Sequence, residues 1–295
     1  MSENSDQLTR FLIESANIRG VIVSLDRSWA ELAETRTYEG NMRAILGQAM
    51  VATTLMSANL KQSGRVTLQV SGSGPISLMV MQVNESGSVR GMAKAYGKPE
   101  SETLSELFGQ AQMSVIVEPD NGPERYQAIV EMNADTLSSA LSNYFHQSEQ
   151  LLTRIWLVAN QNRVAGLMIQ KLPDDTSSLD ESGEAWQRIK LLAETLNEEE
   201  LVTLDAQTLL HRLFHEEQVR MFEPKSIVFE CTCSRERTAN MISSLGEDEA
   251  RSIIHDEGVI SVECDFCATK YEFDAIDVEQ LFGDSSVLPP SSTHH

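Results

Sequence analysis

The sequence predicts an α+β fold: an N-terminal mixed sheet-and-helix domain, a helical linker, and a small C-terminal domain that contains every cysteine. Three observations predict this order. Strand-like segments occur in runs interrupted by few helices, which is typical of α+β rather than doubly wound parallel sheets. The composition turns polar and acidic after Leu172-Pro173. The four cysteines all lie in the last quarter of the 295 residues.

The first domain shows strand patterns separated by turn residues. Gly72-Ser73-Gly74-Pro75 and the stretch 84–87 divide three apolar segments, which is the pattern of a β-meander. Asn41 is a plausible N-cap for a long apolar helix over 41–61. The other predicted helices are 28–36 and 135–147. The predicted strands are 18–23, 65–70, 76–83, 88–96, 112–118, 125–132, 154–159 and 165–171.

Amphipathic helices over 184–217 connect this domain to the last one, after a polar, acidic break at 174–183. Asn197 and Glu200 form a capping box, and Asp205 begins a further helix. Such short helices are not stable alone, so their apolar faces must dock on something. The apolar positions at helical spacing are Trp186, Ile189, Leu192, Leu196, Leu209, Leu213 and Phe214. We expect domains at 1–178, 179–226 and 227–283, with a disordered tail at 284–295.

The last domain is predicted to contain a strand at 227–230 and a helix capped by Ser234 that ends near Leu245. A second helix follows to 255, then strands at 259–263 and 271–273 and a short helix at 277–282. The domain has only about 55 residues, fewer than the roughly 70–80 for which a hydrophobic core usually suffices without a metal or disulfide.

The four cysteines form two close pairs, Cys231-Thr232-Cys233 and Cys264-Asp265-Phe266-Cys267. Short ligand pairs from two knuckles are how small domains supply four thiolates to one tetrahedral zinc ion, at about 2.3 Å from each sulfur. The spacing therefore predicts a single Zn²⁺ site formed by Cys231, Cys233, Cys264 and Cys267.

Composition and charge limit the classes of partner. The chain has 44 acidic and 23 basic residues, a formal net charge of −21, and no run rich in Lys or Arg. Binding to nucleic acid phosphates needs a basic surface, so we expect no nucleic-acid partner. The stretch 1–10 is polar, without the apolar region of a signal peptide. The longest uncharged stretch, 44–60, is too short and too polar to span a bilayer. We expect a cytoplasmic protein without a membrane partner, whose thiols stay reduced.

The cysteines allow three interpretations. A permanently closed zinc site, as in a zinc ribbon, would only stabilise the domain. A thiol switch would lose zinc on oxidation, because a disulfide sulfur is no longer an anionic ligand, and the two close pairs could each close locally. A disulfide across a single residue is near the limit of disulfide geometry and should be readily reduced. A thioredoxin-like oxidoreductase needs its Cys-x-x-Cys at a helix N-terminus, whereas Cys267 here leads into a predicted strand.

Other candidate groups carry weaker signals. Arg235 and Arg237 could stabilise thiolates or be ordinary helix-surface charges. His211 and His215 are four residues apart on a helix and could in principle bind metal, but with four thiolates available a solvated helix face is favoured. The stretch Gly72-Ser73-Gly74 is a turn rather than a phosphate loop, and no plausible Ser/His/Asp set occurs. We therefore do not predict an enzyme.

The sequence Cys231-Thr232-Cys233-Ser234-Arg235-Glu236-Arg237, with the second cysteine pair, resembles the zinc-binding signature of the redox-regulated heat-shock chaperones, the 33 kDa chaperonin family. The resemblance extends to 51–55, 124–127 and Tyr144-Phe145-His146-Gln147-Ser148-Glu149-Gln150, and covers nearly the whole chain except the tail.

This resemblance implies a bacterial cytosolic holdase that works without ATP and is inactive when reduced and zinc-bound. It implies that oxidation forms the disulfides Cys231–Cys233 and Cys264–Cys267, releases zinc and unfolds the linker. The exposed apolar surface then binds unfolding client proteins. The resemblance also implies a homodimer when oxidised, and transfer of clients to the DnaK foldase system when reductants return.

Overall fold

The computed structural model describes residues 6–60, 63–120, 125–132, 134–173 and 179–283. They form two compact units, one that ends at Glu230 and one that begins at Cys231. The expected disordered tail, 284–295, lies outside the described residues.

The elements are numbered in chain order. The strands are β1 (Gln7–Ile13), β2 (Ile18–Leu25), β3 (Gly64–Gly72), β4 (Ile76–Asn84), β5 (Ser88–Ala95), β6 (Ala111–Pro119), β7 (Tyr126–Glu131), β8 (Thr153–Ala159), β9 (Val164–Lys171), β10 (Val219–Met221), β11 (Lys225–Ser226), β12 (Val228–Phe229), β13 (Ile260–Glu263) and β14 (Lys270–Phe273). The helices are α1 (Arg27–Glu34), α2 (Asn41–Ser57), α3 (Leu104–Phe108), α4 (Leu137–Ser148), α5 (Leu179–Ala193), α6 (Glu198–Thr203), α7 (Ala206–Phe214), α8 (Arg235–Leu245), α9 (Glu247–Glu257) and α10 (Ala275–Gly283), and a 3-10 turn occupies Glu14–Ala16.

Two six-stranded sheets form the first unit. The first sheet has the strand order β10-β1-β2-β9-β8, with β11 also paired to β1. The second has the order β12-β5-β4-β3-β6-β7. Both are antiparallel except for the parallel pair β12 and β5. The predicted meander is confirmed as β3-β4-β5, and the strands predicted at 112–118 and 125–132 are present as β6 and β7, which pair with each other.

The helix α2 lies between the two sheets and contacts strands of both. Its apolar residues occur on all sides, which is typical of a fully enclosed helix. The buried hydroxyls of Thr53 and Thr54 donate to the carbonyls of Ala49 and Met50 one turn earlier, at 2.8 and 2.7 Å. These bonds satisfy the polar groups that enter the core. Asn41 was expected to cap this helix, but the N-cap is Gly40, and Asn41 instead donates to the carbonyls of Glu100 and Ser101.

The first sheet is covered on both faces. Along β2, Val21 and Val23 join the core around α2, whereas Ile18 and Ile22 belong to a second hydrophobic cluster. This alternation follows from the period of two along a strand. The second cluster is completed by the helices α5, α6 and α7, which therefore dock on the sheet face opposite α2. A sheet that is buried on both faces needs apolar residues at successive positions, as β2 and β9 have.

One glycine makes room for an aromatic side chain in the second cluster. Phe11 and Gly20 are paired residues of β1 and β2, and a Cβ on Gly20 would lie 2.1 Å from the Phe11 ring. The ring of Phe11 therefore lies across β2, and its centroid is 6.2 Å from that of Phe214 at the end of α7. This contact joins the sheet to the last linker helix.

The second unit has a small core of its own. The hairpin β13-β14 packs with α8, α9 and α10 around Ile242, Ala250, Ile260, Phe273 and Val278. Ser234 caps α8 by accepting from the Arg237 N–H, as predicted. So few buried residues leave the unit dependent on a further constraint.

Several details differ from the sequence prediction. The strand β1 and the short pieces β10 and β11 were not predicted, and α5 begins at Leu179 within the expected polar break. The predicted strand at 227–230 is present as β12, but it pairs with β5 of the first unit. The boundary between the compact units thus falls after Glu230, four residues beyond the expected start of the last domain. Within the described part of the chain, no helix has the length and apolar character needed to cross a membrane.

Candidate metal centre

The four cysteines are held by short elements of the second unit. Cys231 and Cys233 precede α8, whose first turn is fixed by the Ser234 cap. Cys264 and Cys267 lie in the loop of the β13-β14 hairpin. In that loop the Cys264 N–H donates to the Thr269 carbonyl and the Ala268 N–H donates to the Cys264 carbonyl, both at 2.9 Å. Ala268 has a φ of 57°, a left-handed conformation that the tight turn requires.

The structure brings these four thiols together. All four sulfurs lie within 4.8 Å of one another, and all four cysteines are free thiols. Across the two pairs, the Sγ atoms of Cys231 and Cys264 are 3.7 Å apart and those of Cys233 and Cys267 are 3.3 Å apart. A tetrahedral ion with sulfurs at about 2.3 Å places those sulfurs about 3.8 Å apart. The donor set and its spacing therefore fit one metal ion.

Two hydroxyl groups lie against the sulfurs. Tyr271 on β14 donates from its hydroxyl to Cys233 Sγ at 3.2 Å. The Thr269 hydroxyl oxygen is 3.2 Å from Cys267 Sγ. Each close pair of cysteines thus has one sulfur in contact with a hydroxyl group from the β13-β14 hairpin.

The thiols have different acidities in the absence of metal. Burial, reinforced by the neighbouring thiols, raises the pKa of Cys231 to about 12. Burial also raises the pKa of Cys233. Burial acts to raise the pKa of Cys267, but hydrogen bonds from the Thr269 hydroxyl and N–H and from other cysteines outweigh it and lower that pKa to about 7. The hydrogen bond to Cys233 raises the pKa of Tyr271 to about 12. Binding a cation would favour the thiolate at every one of these sulfurs.

The two arginines after the first pair have structural contacts. Arg235 donates to the Glu272 carbonyl and to the Asp277 carboxylate, both at 2.7 Å, and its guanidinium lies 4.3 Å from the centre of the Phe273 ring. Arg237 donates to the Thr232 carbonyl at 2.6 Å. These contacts join the first knuckle to β14 and α10 and hold the backbone between Cys231 and Cys233.

The seven predicted linker residues belong to one cluster in the first unit. Trp186, Ile189, Leu209, Leu213 and Phe214 are buried, and Leu192 and Leu196 are partly buried against them. Sequence reasoning missed the surface that they cover, which is formed by Phe11, Ile13, Ile18, Ile22, Leu167 and Ile169 of the first sheet. It also missed Leu201, which is buried in the same cluster.

Polar contacts accompany this apolar docking. Arg188 on α5 donates to Glu217 at 2.8 Å, and Ser15 donates to the other oxygen of the same carboxylate at 2.7 Å. Arg212 on α7 donates to Glu200 of the capping box at 2.7 Å. The linker helices are therefore bonded to one another and, through Ser15, to the turn after β1.

His211 on α7 and His215 at the C-cap of that helix are both exposed, and their ring centroids are 6.0 Å apart. Among the residues that the structure describes, the four cysteines are the group that gathers three or more potential metal ligands. The exposure of both histidines fits the predicted solvated helix face.

The sequence matches the family described as Hsp33 protein over residues 6–274. It is also 40% identical, over 99% of both chains, to the 33 kDa chaperonin of Nitrosococcus oceani. The chain belongs to the Hsp33 family. The 33 kDa chaperonin of Pseudomonas aeruginosa strain PAO1 is 42% identical to this Hsp33 chain over 99% of both sequences.

A solved structure supports the fold of this Hsp33 chain. The crystal structure of the 33 kDa chaperonin from Thermotoga maritima superimposes with a TM-score of 0.81 at 21% identity and covers 96% of this chain and 99% of its own. The α+β fold is therefore confirmed. These relatives are named as chaperonins, and this name supports a chaperone.

Proposed function

We propose that this protein is a redox-regulated, ATP-independent holdase that protects unfolding proteins from aggregation during oxidative and heat stress. The observation that carries the proposal is the convergence of four free thiols, from two close pairs, in a unit with only a small apolar core. Membership of the Hsp33 family supports the chaperone part of the proposal.

In the reduced, inactive form, Cys231, Cys233, Cys264 and Cys267 would together hold one Zn²⁺. Bound zinc supplies a structural crosslink here, because four protein ligands leave no open coordination position. Structural zinc contributes roughly 10–16 kcal/mol to small domains, compared with a net stability of about 5–15 kcal/mol for a whole domain. We therefore propose that the second unit stays folded only while its thiolates hold the ion.

Oxidation is the proposed signal. One peroxide molecule takes two electrons from a pair of cysteines, the sulfur–sulfur bond forms, and the peroxide oxygens leave as two waters with protons from the thiols or solvent. We propose that the pairs are Cys231–Cys233 and Cys264–Cys267, since neighbours in the chain can close without large backbone movement. Each disulfide removes two anionic ligands from the site, so the remaining groups no longer retain zinc.

The linker is the proposed output of the switch. Its helices are followed by β10, β11 and β12, which run directly into Cys231. We propose that loss of structure in the second unit loosens this segment, so that α5, α6 and α7 leave the first sheet. The freed surface would be apolar, with Trp186 and Phe214 among its large side chains. In a chain with a formal net charge of −21, such a surface can hold unfolding clients while the complex stays soluble.

The remaining parts of the proposal rest on the resemblance to the family. We propose that the oxidised form is a homodimer, that it acts in the bacterial cytoplasm, and that clients pass to the DnaK foldase system once reductants return. The acidic surface gives no support for a nucleic-acid partner.

The experiment is a peroxide titration of the full reduced, zinc-loaded chain, with zinc release and proteolysis followed together. We expect zinc release and a sharp rise in cleavage within 184–217. If cleavage is unchanged after complete zinc release, the proposal that the linker helices leave the first sheet is wrong. Retention of zinc through mild oxidation would instead support the permanent structural site. Catalytic reduction of insulin disulfides would support the oxidoreductase. Separately, if the variant Cys231→Ser still bound one equivalent of zinc tightly, the assignment of four thiolate ligands would be wrong.

A further inference from the structure

Two hydroxyl groups contact the cysteine cluster in an ordered pattern. Tyr271 donates to Cys233 Sγ, and the Thr269 hydroxyl lies within hydrogen-bonding distance of Cys267 Sγ. Cys233 belongs to the first close pair and Cys267 to the second, and their sulfurs are themselves 3.3 Å apart. Each close pair of cysteines therefore has one sulfur within hydrogen-bonding distance of a hydroxyl group.

The hairpin fixes where both hydroxyl groups lie. Tyr271 pairs with Val262 in the β13-β14 ladder, and its half-buried ring packs on the small core of the second unit. A tyrosine ring has only two side-chain torsions, so an anchored ring holds its hydroxyl at one place. The Thr269 carbonyl accepts the N–H of Cys264, which ties the position of Thr269 to the same knuckle.

A hydroxyl that donates to a thiolate withdraws electron density from the sulfur. When zinc is bound, the four ligands are already thiolates, so such a bond changes their nucleophilicity rather than their protonation. Four thiolates around one Zn²⁺ carry a net negative charge. Hydroxyl groups that face the sulfurs offset part of this charge, together with backbone N–H groups such as that of Thr269. Once Cys267 is a thiolate it has no proton to donate, so the Thr269 hydroxyl becomes the donor.

We propose that Tyr271 and Thr269 are positioning residues that restrain Cys233 and Cys267, so that these two thiolates react with electrophiles and oxidants more slowly than they would without the hydroxyls. Where the proposed redox function holds, on which this consequence rests, the two hydroxyls raise the oxidant concentration needed for zinc release. The hydrogen bonds themselves do not depend on that function.

The test uses the full zinc-loaded, reduced chain and iodoacetamide as the probe, because alkylation reports nucleophilicity without any oxidant. Site-resolved mass spectrometry follows the alkylation of Cys233 and Cys267. The variant Tyr271→Phe removes only the hydroxyl and should speed alkylation of Cys233 by about three- to tenfold, the range that corresponds to one net hydrogen bond. Tyr126→Phe is the matched control, because its hydroxyl donates to Glu149 in the first unit. It should leave the rate unchanged.

Thr269 provides an independent arm, since its side chain is exposed and its loss should not impair folding. Thr269→Val should speed alkylation of Cys267 by a similar factor, and Thr269→Ser, which keeps the hydroxyl, should restore the original rate. Zinc content and the melting temperature are measured for every variant. If Tyr271→Phe fails to hold zinc, the Thr269 arm decides the question.

Equal alkylation rates in the parent chain, Tyr271→Phe and Thr269→Val would overturn the proposal. A repeat with hydrogen peroxide separates it from the proposed function. Faster alkylation in the variants, without zinc release from any chain under peroxide, would keep the hydrogen-bond roles and reject the redox switch.

Discussion

The guanidinium of Arg188 and the carboxylate of Glu217 join the two ends of the linker at 2.8 Å. Arg188 lies in α5, and Glu217 follows the end of α7, so the ion pair closes the helical segment on itself. The Glu217 side chain is only 8% exposed, and its second oxygen accepts from Ser15 next to β1. Glu217 is therefore a point at which the linker is tied both to itself and to the first sheet.

Replacing this carboxylate should loosen the linker. Glu217→Gln keeps the shape but loses the charge, and because Arg188 is half exposed we expect a cost of about 1 kcal/mol in linker docking. Limited proteolysis of the reduced chain should show faster cleavage within 179–217. Glu216→Gln, at a side chain that is 85% exposed, is the control and should cleave at the parent rate. Identical cleavage of both variants would count against the role of Glu217.

The same carboxylate predicts a pH dependence. The hydrogen bond from Arg188 lowers the pKa of Glu217 below its ordinary value of 4.5, against the opposing effect of burial. A depressed pKa in the folded state means that the stabilisation is fully present above pH 4.5 and is lost as the pH falls through the lowered pKa. Cleavage of the linker by pepsin should therefore rise more steeply below pH 4.5 in the parent chain than in Glu217→Gln. Parallel pH profiles would contradict the prediction.

Apolar docking should matter more than the ion pair. Leu213 is 3% exposed, and Leu213→Ala should destabilise the docked linker by about 2–5 kcal/mol, because it removes buried methyl groups and leaves a cavity. We expect proteases to cleave the linker of reduced, zinc-bound Leu213→Ala even without peroxide. Leu191→Ala is the matched control on α5, since Leu191 is 60% exposed. If the linkers of Leu213→Ala and Leu191→Ala resist proteolysis equally, apolar docking on the first sheet is not what protects the linker.

The contacts of Arg235 predict a role in holding the cysteine unit together. Lysine cannot reproduce both the two-sided hydrogen bonding of a guanidinium and its stacking on Phe273. Arg235→Lys should therefore lose zinc to a chelator faster than the parent chain, by roughly three- to tenfold if about one net hydrogen bond is lost. The control is Arg251→Lys, which affects an exposed pair with Glu247 in the same unit. Equal rates for the two variants would show that Arg235 does not support the site.

Sequence reasoning predicted the elements better than their partners. The pattern of α2, the meander and the capping residues Ser234, Asn197 and Asp205 are local signals, and the structure has them. The strand β1 has only a weak local pattern, because the polar residues Thr9 and Arg10 separate Leu8 from Phe11 and Ile13. Its partners β10 and β11 lie about two hundred positions further along the chain, a pairing that no local pattern specifies.

The same limit applies to the candidate site. The spacing of the cysteines predicted that they lie close together in the fold, because two short pairs can bind a single metal ion only if all four sulfurs surround it. Helical periodicity found the apolar face of the linker, but the sheet face that it covers depends on the topology of the first unit. Single charged or hydroxyl residues such as Glu217 and Tyr271 gave no signal. Their roles arise from neighbours that folding brings near them.

The most direct test of the central claim is an aggregation assay on a thermally unfolding client, run with reduced and with peroxide-treated protein while zinc release is followed in parallel. We predict that the reduced, zinc-bound chain does not prevent aggregation and that suppression appears together with zinc release and reverses with reductant. Equal suppression by the reduced and oxidised forms, or zinc release without any gain in suppression, would contradict the proposed redox-regulated holdase.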